Sequence, residues 1–217
     1  MTSPLAAATH LRNALSASEQ DDTPFPHWLL ADTLPTDFYH SLRDLDLGSP
    51  PPGESAGRRE THNAKRLFFG VAARERFVVA DRLAKLFQDP DTVAAIESRT
   101  RTSLRGTSLR IEYCLDTDGF WLEPHTDIGA KKFTMLIYLS DSPGSEAWGT
   151  DFLSPEGVLI SRPAAYPNSA AIFIPSPISW HGFAKRPIKG IRRTLIINFV
   201  GPEWRARREL CFPGAPV

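Results

Sequence analysis

Apolar residues change their spacing near residue 103, and the change divides the chain into two kinds of structure. Upstream the spacing is helical. From Ala72 to Gln88 the positions Phe77, Val78, Leu83, Leu86 and Phe87 gather on one helical face, and Asp91 is placed to cap a second helix through Val93 to Ile96. Further upstream, Phe25 to Leu47 opens on an apolar run and then passes through Pro35-Thr36-Asp37 into Phe38, Leu42 and Leu45. That is the pattern of a strand followed by a helix. Amphipathic helices need an apolar surface to cover, so these are expected to pack on a sheet.

Downstream the period shortens. β-rich segments fall near 108–115, 132–140, 150–153, 157–161, 169–174, 178–183 and 191–200, separated by Pro, Gly, Asp and Ser. Parallel strands need crossovers of about a dozen residues, and strands this closely spaced leave no room for them. Antiparallel pairing follows, in a sandwich or jelly roll.

These patterns suggest one domain with four parts. Residues 1–23 are small and polar and read as a flexible N-terminal segment, with a short helix as the alternative to fraying. Residues 24–102 form a strand and helix support region. Within it, 48–66 concentrates Pro, Gly, Ser and charge and is assigned to the surface, as a linker or a lid. Residues 103–205 form the jelly-roll core and 206–217 a tail.

Composition narrows the partners. Lys plus Arg and Asp plus Glu each number 25, so the formal net charge is zero, without the basic excess that draws a protein to phosphate backbones. No nucleic acid partner is expected. The chain shows neither a basic, apolar leader nor a run long enough to cross a bilayer, so the expectation is a cytoplasmic protein with no membrane partner. Cys114 and Cys211 are the two cysteines, too few for a disulfide framework and not spaced as a zinc or redox pair.

The chemistry gathers in three places. In EPHTDIGAKKFTMLIYLS, His125 and Asp127 flank Thr126, so in extended chain their side chains leave the same face. Trp180-His181-Gly182 follows the apolar segment AAIFIPS and supplies a second histidine. Two histidines and a carboxylate can occupy one triangular face of an octahedron and leave three positions open, whereas a structural zinc site closes its shell. In GIRRTLIINFV, strand alternation puts Arg192, Thr194, Ile196 and Asn198 on one face and Arg193, Leu195 and Ile197 on the other. A buried arginine there demands an anion, and its planar fork suits a carboxylate. His10, His27, His40 and His62 have no partners at ligand spacing and are read as structural or solvated.

The ordered series PHTD, FTMLIYLS, WHGF and RRTLIINF resembles the 2-oxoglutarate and Fe(II)-dependent dioxygenase superfamily, in particular its prolyl-4-hydroxylase-like branch, over about Leu109 to Val200. The opening PFPHWLLADTLPTDFYHSL is similar to the entry segment of bacterial members. The resemblance implies a mainly β fold with flanking helices: a double-stranded β-helix (jelly roll) with N-terminal helices packed on the major sheet. It implies Fe(II) held by His125, Asp127 and His181, with 2-oxoglutarate and O2 as cosubstrates and ascorbate as an in-vitro reductant. The family's Arg-x-Ser/Thr pattern falls on Arg192 and Thr194, with Arg193 the competing choice. Tyr138 and Tyr113 match tyrosines that reach the cosubstrate.

The implied reaction is hydroxylation of an unactivated C–H bond, with release of succinate and CO2. The substrate is expected to be small and polar: an amino acid, a peptide or a sugar-containing precursor. Halogenases of the superfamily vacate the aspartate position, and Asp127 is retained. Trp148 replaces a glycine where relatives carry Gly-Gly, which places the rim of the pocket at Trp148-Gly149, and Phe120, Trp121, Trp148 and Trp180 are candidates for an aromatic mouth. The loop 58–66 is the leading place to seek specificity. Two other readings stay open: a cupin-like metal-binding or isomerase protein, and a non-catalytic oxygenase-like interaction domain.

Overall fold

The computed structural model describes residues 2–48, 57–58 and 66–217. Five helices precede or interleave with the first strands: α1 (Pro4–Ser16), α2 (Thr36–Arg43), α3 (Val71–Arg76), α4 (Val78–Gln88) and α5 (Pro90–Thr100). The strands are β1 (Glu19–Asp21), β2 (His27–Leu30), β3 (Arg66–Phe68), β4 (Ser108–Asp116), β5 (Leu122–His125), β6 (Lys131–Tyr138), β7 (Asp151–Leu153), β8 (Leu159–Ser161), β9 (Ala170–Phe173), β10 (His181–Phe183) and β11 (Arg192–Val200).

Every strand pairing is antiparallel. A seven-stranded sheet runs β1-β2-β9-β6-β11-β4-β3 and a four-stranded sheet runs β5-β10-β7-β8. From β4 onward the chain passes back and forth between the two sheets, which is the winding of a double-stranded β-helix. The expected fold class is therefore the observed one.

Alternation along β4 and β11 sets the two sides of the larger sheet. Leu109, Ile111, Tyr113, Leu115, Leu195, Ile197 and Phe199 share a core with Leu11, Leu15, Phe38, Leu83, Phe87 and Ile96 of the helices. All nine residues of β4 are buried, so its other face, with Arg110, Glu112, Cys114 and Asp116, lies between the sheets. That inner space is apolar in two patches. Phe25, Tyr138, Phe152 and Phe173 form one, and Phe120, Trp148, Phe183 and Ile188 the other. The remainder is polar.

Three expectations about the helical half are corrected. The segment before Pro24 is not free chain: Pro4–Ser16 is a helix capped by Ser3, whose Oγ accepts from Ala6 N at 3.2 Å, with Ala7, Leu11 and Leu15 buried four residues apart. Its small side chains hide an amphipathic stripe that a helix nonetheless presents. The cap of α5 is Asp89 rather than Asp91. Asp89 Oδ2 accepts from Thr92 N at 2.9 Å, and Pro90 begins the helix, where its missing N–H costs nothing. The span from Ala72 to Gln88 is two helices, broken where Phe77 turns extended at φ −120° and ψ 107°. Of the loop 48–66, only Gly48, Gly57, Arg58 and Arg66 are among the described residues.

Candidate metal centre

Two histidines meet across one antiparallel pair. β10 lies between β5 and β7, with His181 directly opposite His125 on one side and Phe152 on the other. Directly opposed residues project from the same face, and the two imidazole centroids are 4.3 Å apart. Gly182 allows this close approach, because a Cβ there would stand 2.9 Å from the Leu122 carbonyl oxygen.

Asp127 lies just past the end of β5 and turns toward the larger sheet. Thr134 Oγ1 on β6 donates to its Oδ2 at 2.7 Å, and Lys131 Nζ donates to its Oδ1 at 2.5 Å. One ligand atom from each of His125, Asp127 and His181 lies within 4.8 Å of the other two.

The protonation states suit coordination. His125 Nδ1 is 2.8 Å from Glu123 O, and His181 Nδ1 is 2.9 Å from Ser179 O. A carbonyl only accepts, so in each neutral ring Nδ1 carries the proton and Nε2 keeps its lone pair. Burial pushes the His181 pKa down to about 4, against the opposing pull of the Asp127 charge. That ring is neutral at pH 7. Burial alone would raise Asp127. The Lys131 charge, then His181 and the two side-chain hydrogen bonds, outweigh it and hold the carboxyl well below its usual range. Two imidazole nitrogens and one carboxylate oxygen converging on a point form a donor set for a divalent first-row metal, and the residues present fit one.

The three groups open on a cleft of about 170 Å³, whose lining includes Arg192, Thr194 and Ile196 of β11. Arg192 is buried at 3 % exposure. Its demand for an anion is met within the chain: Nη1 donates to Asp116 Oδ2 at 2.6 Å, Nε to Trp148 O at 2.7 Å, and the guanidinium lies over the Phe183 ring at 4.6 Å. Nη2 makes neither of those bonds. Thr194 Oγ1 is buried in the same wall with no hydrogen-bond partner, an unmet polar group of the kind a ligand satisfies.

Other sequence-predicted site residues lie elsewhere. Tyr113 faces the helices, not the cleft. It has the same parity along β4 as Leu109 and Leu115, and its hydroxyl donates to Leu42 O at 2.9 Å. Arg193 points to that same side, into a separate hollow beside Asp44, Asp141 and Leu115. Tyr138 packs among Phe25, Phe152 and Phe173, and its hydroxyl accepts from Thr150 N at 3.2 Å. It braces a cleft-lining residue without lining the cleft itself.

Trp148 and Phe120 are core rather than mouth, at 3 % and 1 % exposure, with Trp148 Nε1 donating to Pro187 O at 3.1 Å. Gly149 beside it is a packing requirement, since a Cβ there would stand 1.8 Å from Pro163 O.

Sequence reasoning missed the inner face of β4. Arg110 donates to Glu209 Oε2 at 2.8 Å and to Asn198 Oδ1 at 3.1 Å, and pairs with Glu112 Oε2 at 3.0 Å. Arg66 Nε reaches Glu112 Oε1 at 2.5 Å. Asn198 Nδ2 donates in turn to Thr134 Oγ1 at 2.9 Å. A chain of polar contacts thus runs from Arg66 to Asp127 along the cleft wall. The signal was present in SLRIEYCLD, where Arg110, Glu112 and Asp116 share one parity of a strand whose other parity is apolar.

No family model and no curated protein sequence matches the chain. Solved structures do match in fold. A prolyl hydroxylase from Trichoplax adhaerens, in complex with a hypoxia inducible factor oxygen degradation domain peptide fragment, superposes with a TM-score of 0.59 at 14% identity, over 89% of this chain and 88% of that one. A Pseudomonas putida prolyl-4-hydroxylase gives 0.56 at 15% identity, over 89% and 98%. HygX from Streptomyces hygroscopicus, with nickel and 2-oxoglutarate bound, gives 0.53 at 14% identity, over 82% and 84%. The fold of this chain is the one shared by prolyl hydroxylases and other enzymes that use 2-oxoglutarate.

Proposed function

We propose that the protein is an Fe(II)- and 2-oxoglutarate-dependent oxygenase, most simply a hydroxylase of a small polar molecule or a peptide. One observation carries the reading: the ligand atoms of His125, Asp127 and His181 lie within 4.8 Å of one another at the wall of a cleft. The structural neighbours support it by fold. A metal held by His125, Asp127 and His181 would supply activation of O2, with 2-oxoglutarate as the electron source and succinate and CO2 as products.

The chain's own groups bind and orient. His125 and His181 present Nε2, with their Nδ1–H groups fixed on backbone carbonyls. Thr134 orients Asp127. Arg192, through Nη2, and Thr194, through its unpartnered hydroxyl, are assigned the far carboxylate of the cosubstrate. Phe183 and Leu122 line the same cleft and exclude water from it. The loop before β3 is assigned to substrate recognition. Gly57 O accepts from Glu123 N at 2.8 Å and Arg58 Nε reaches Glu123 at 3.1 Å, which brings this loop within two residues of His125. Among the described residues no helix is long and apolar enough to cross a membrane.

The test is succinate release from 2-oxoglutarate with Fe(II) and ascorbate across a panel of amino acids, peptides and sugar-containing compounds. His125→Ala should abolish turnover. Turnover that survives in His125→Ala, or that needs no metal, would overturn the proposal; no turnover with any compound of the panel would overturn it too, and would favour a cupin-like or non-catalytic protein.

A further inference from the structure

Lys131 has no part in the function just proposed, yet it sits on the one anionic ligand. Its Nζ is 2.5 Å from Asp127 Oδ1, and Thr134 Oγ1 is 2.7 Å from Oδ2. Both oxygens of the carboxylate are therefore engaged by donors of the chain itself. The pair is enclosed, with side-chain exposures of 20% for Lys131 and 4% for Asp127, and in such a setting a charge left without a partner is costly.

The two donors differ in kind. Thr134 is neutral, sits on a central strand of the larger sheet and is held by Asn198 Nδ2. Lys131 is a full positive charge on a flexible stem, at the first position of β6, and it lines the cleft. A divalent ion approaching Asp127 shares the carboxylate with Thr134 without conflict, but it meets a like charge in Lys131.

We infer that Lys131 is an internal counter-ion of the metal centre. In the metal-free chain its ammonium holds the place of the cation on Asp127, and a divalent ion has to displace it. This rests on the triad being a metal site. The lysine keeps the empty centre folded and neutral and at the same time lowers its affinity for metal. A residue that merely orients Asp127 would do the reverse, because its loss would weaken metal binding.

The sign of one measurement separates these roles. Zn(II) and Co(II) affinities of the full chain are measured by chelator competition for wild type, Lys131→Met and Lys131→Gln, and urea unfolding is followed without metal. The counter-ion role requires both variants to bind metal more tightly, on the order of 10-fold, because a like charge beside the divalent ion has been removed, while the metal-free chain unfolds at lower urea. Gln keeps a donor for Oδ1 without the charge, so it provides the comparison if the Met variant does not fold. Unchanged or weaker metal binding in the variants overturns the counter-ion role alone. A wild-type chain that takes up neither ion overturns the metal centre, and the counter-ion with it.

Discussion

Asp116→Asn removes the charge that faces Arg192 while keeping the shape of the side chain. The two residues are directly opposed on β4 and β11, their contact is 2.6 Å, and their side chains are 1% and 4% exposed. Removing one partner of so enclosed a pair leaves a buried charge uncompensated and costs about 3–5 kcal/mol. An amide oxygen still accepts from Nη1, which puts the expected loss near the lower bound, about 3 kcal/mol. For a chain of this length each kcal/mol moves the melting temperature by roughly 2–4 °C, so a fall of about 6–12 °C is expected.

The second half of the experiment adds 2-oxoglutarate to protein loaded with Zn(II), which supplies the metal without turnover. A carboxylate arriving beside Arg192 restores the missing partner, so the cosubstrate should raise the melting temperature of Asp116→Asn more than that of wild type. A loss below about 1 kcal/mol, the range of solvent-exposed pairs, would refute the account of the buried pair. An equal rise in both proteins would refute Arg192 as the anchor.

The remaining predictions are simpler. Leu11→Ala, at a fully buried position of α1, should cost about 2–5 kcal/mol in urea unfolding; a loss within experimental error would mean that α1 is not part of the core. Cys114 and Cys211 are both buried, and burial pushes the Cys211 thiol up to about 12. Neither should react with a disulfide reagent at pH 8 until denaturant is added, and rapid labelling of the native chain would contradict the packing of the tail against Leu109.

The part of the site that follows from strand parity was legible in the sequence. β11 alternates as its residues dictate, so Arg192, Thr194 and Ile196 share the cleft and Leu195 and Ile197 the core. His125 and Asp127 stood out because a spacing of two in extended chain puts both on one face, and His181 because it follows the apolar run AAIFIPS; their role as a ligand set was implied by the resemblance. Tyr113 was misplaced because its residue type outweighed its parity, which it shares with Ile111 and Leu115. The compensation of Arg192 by Asp116 was hidden for a different reason. Those residues are 76 apart in sequence, and only the register of β4 against β11 brings them together. The helix α1 stood only as an alternative to frayed chain because alanines carry a weak hydrophobic signal even where they pack tightly.

Asp127 joins the two sheets at the cleft. The strands that carry His125 and His181 belong to the four-stranded sheet, with β5 at its edge, whereas Thr134 belongs to the seven-stranded sheet backed by helices. The short bond from Thr134 to Asp127 therefore acts as a rivet between a stiff jaw and a thinner one. A metal ion held by all three side chains, as proposed, would therefore also tie the two sheets to each other.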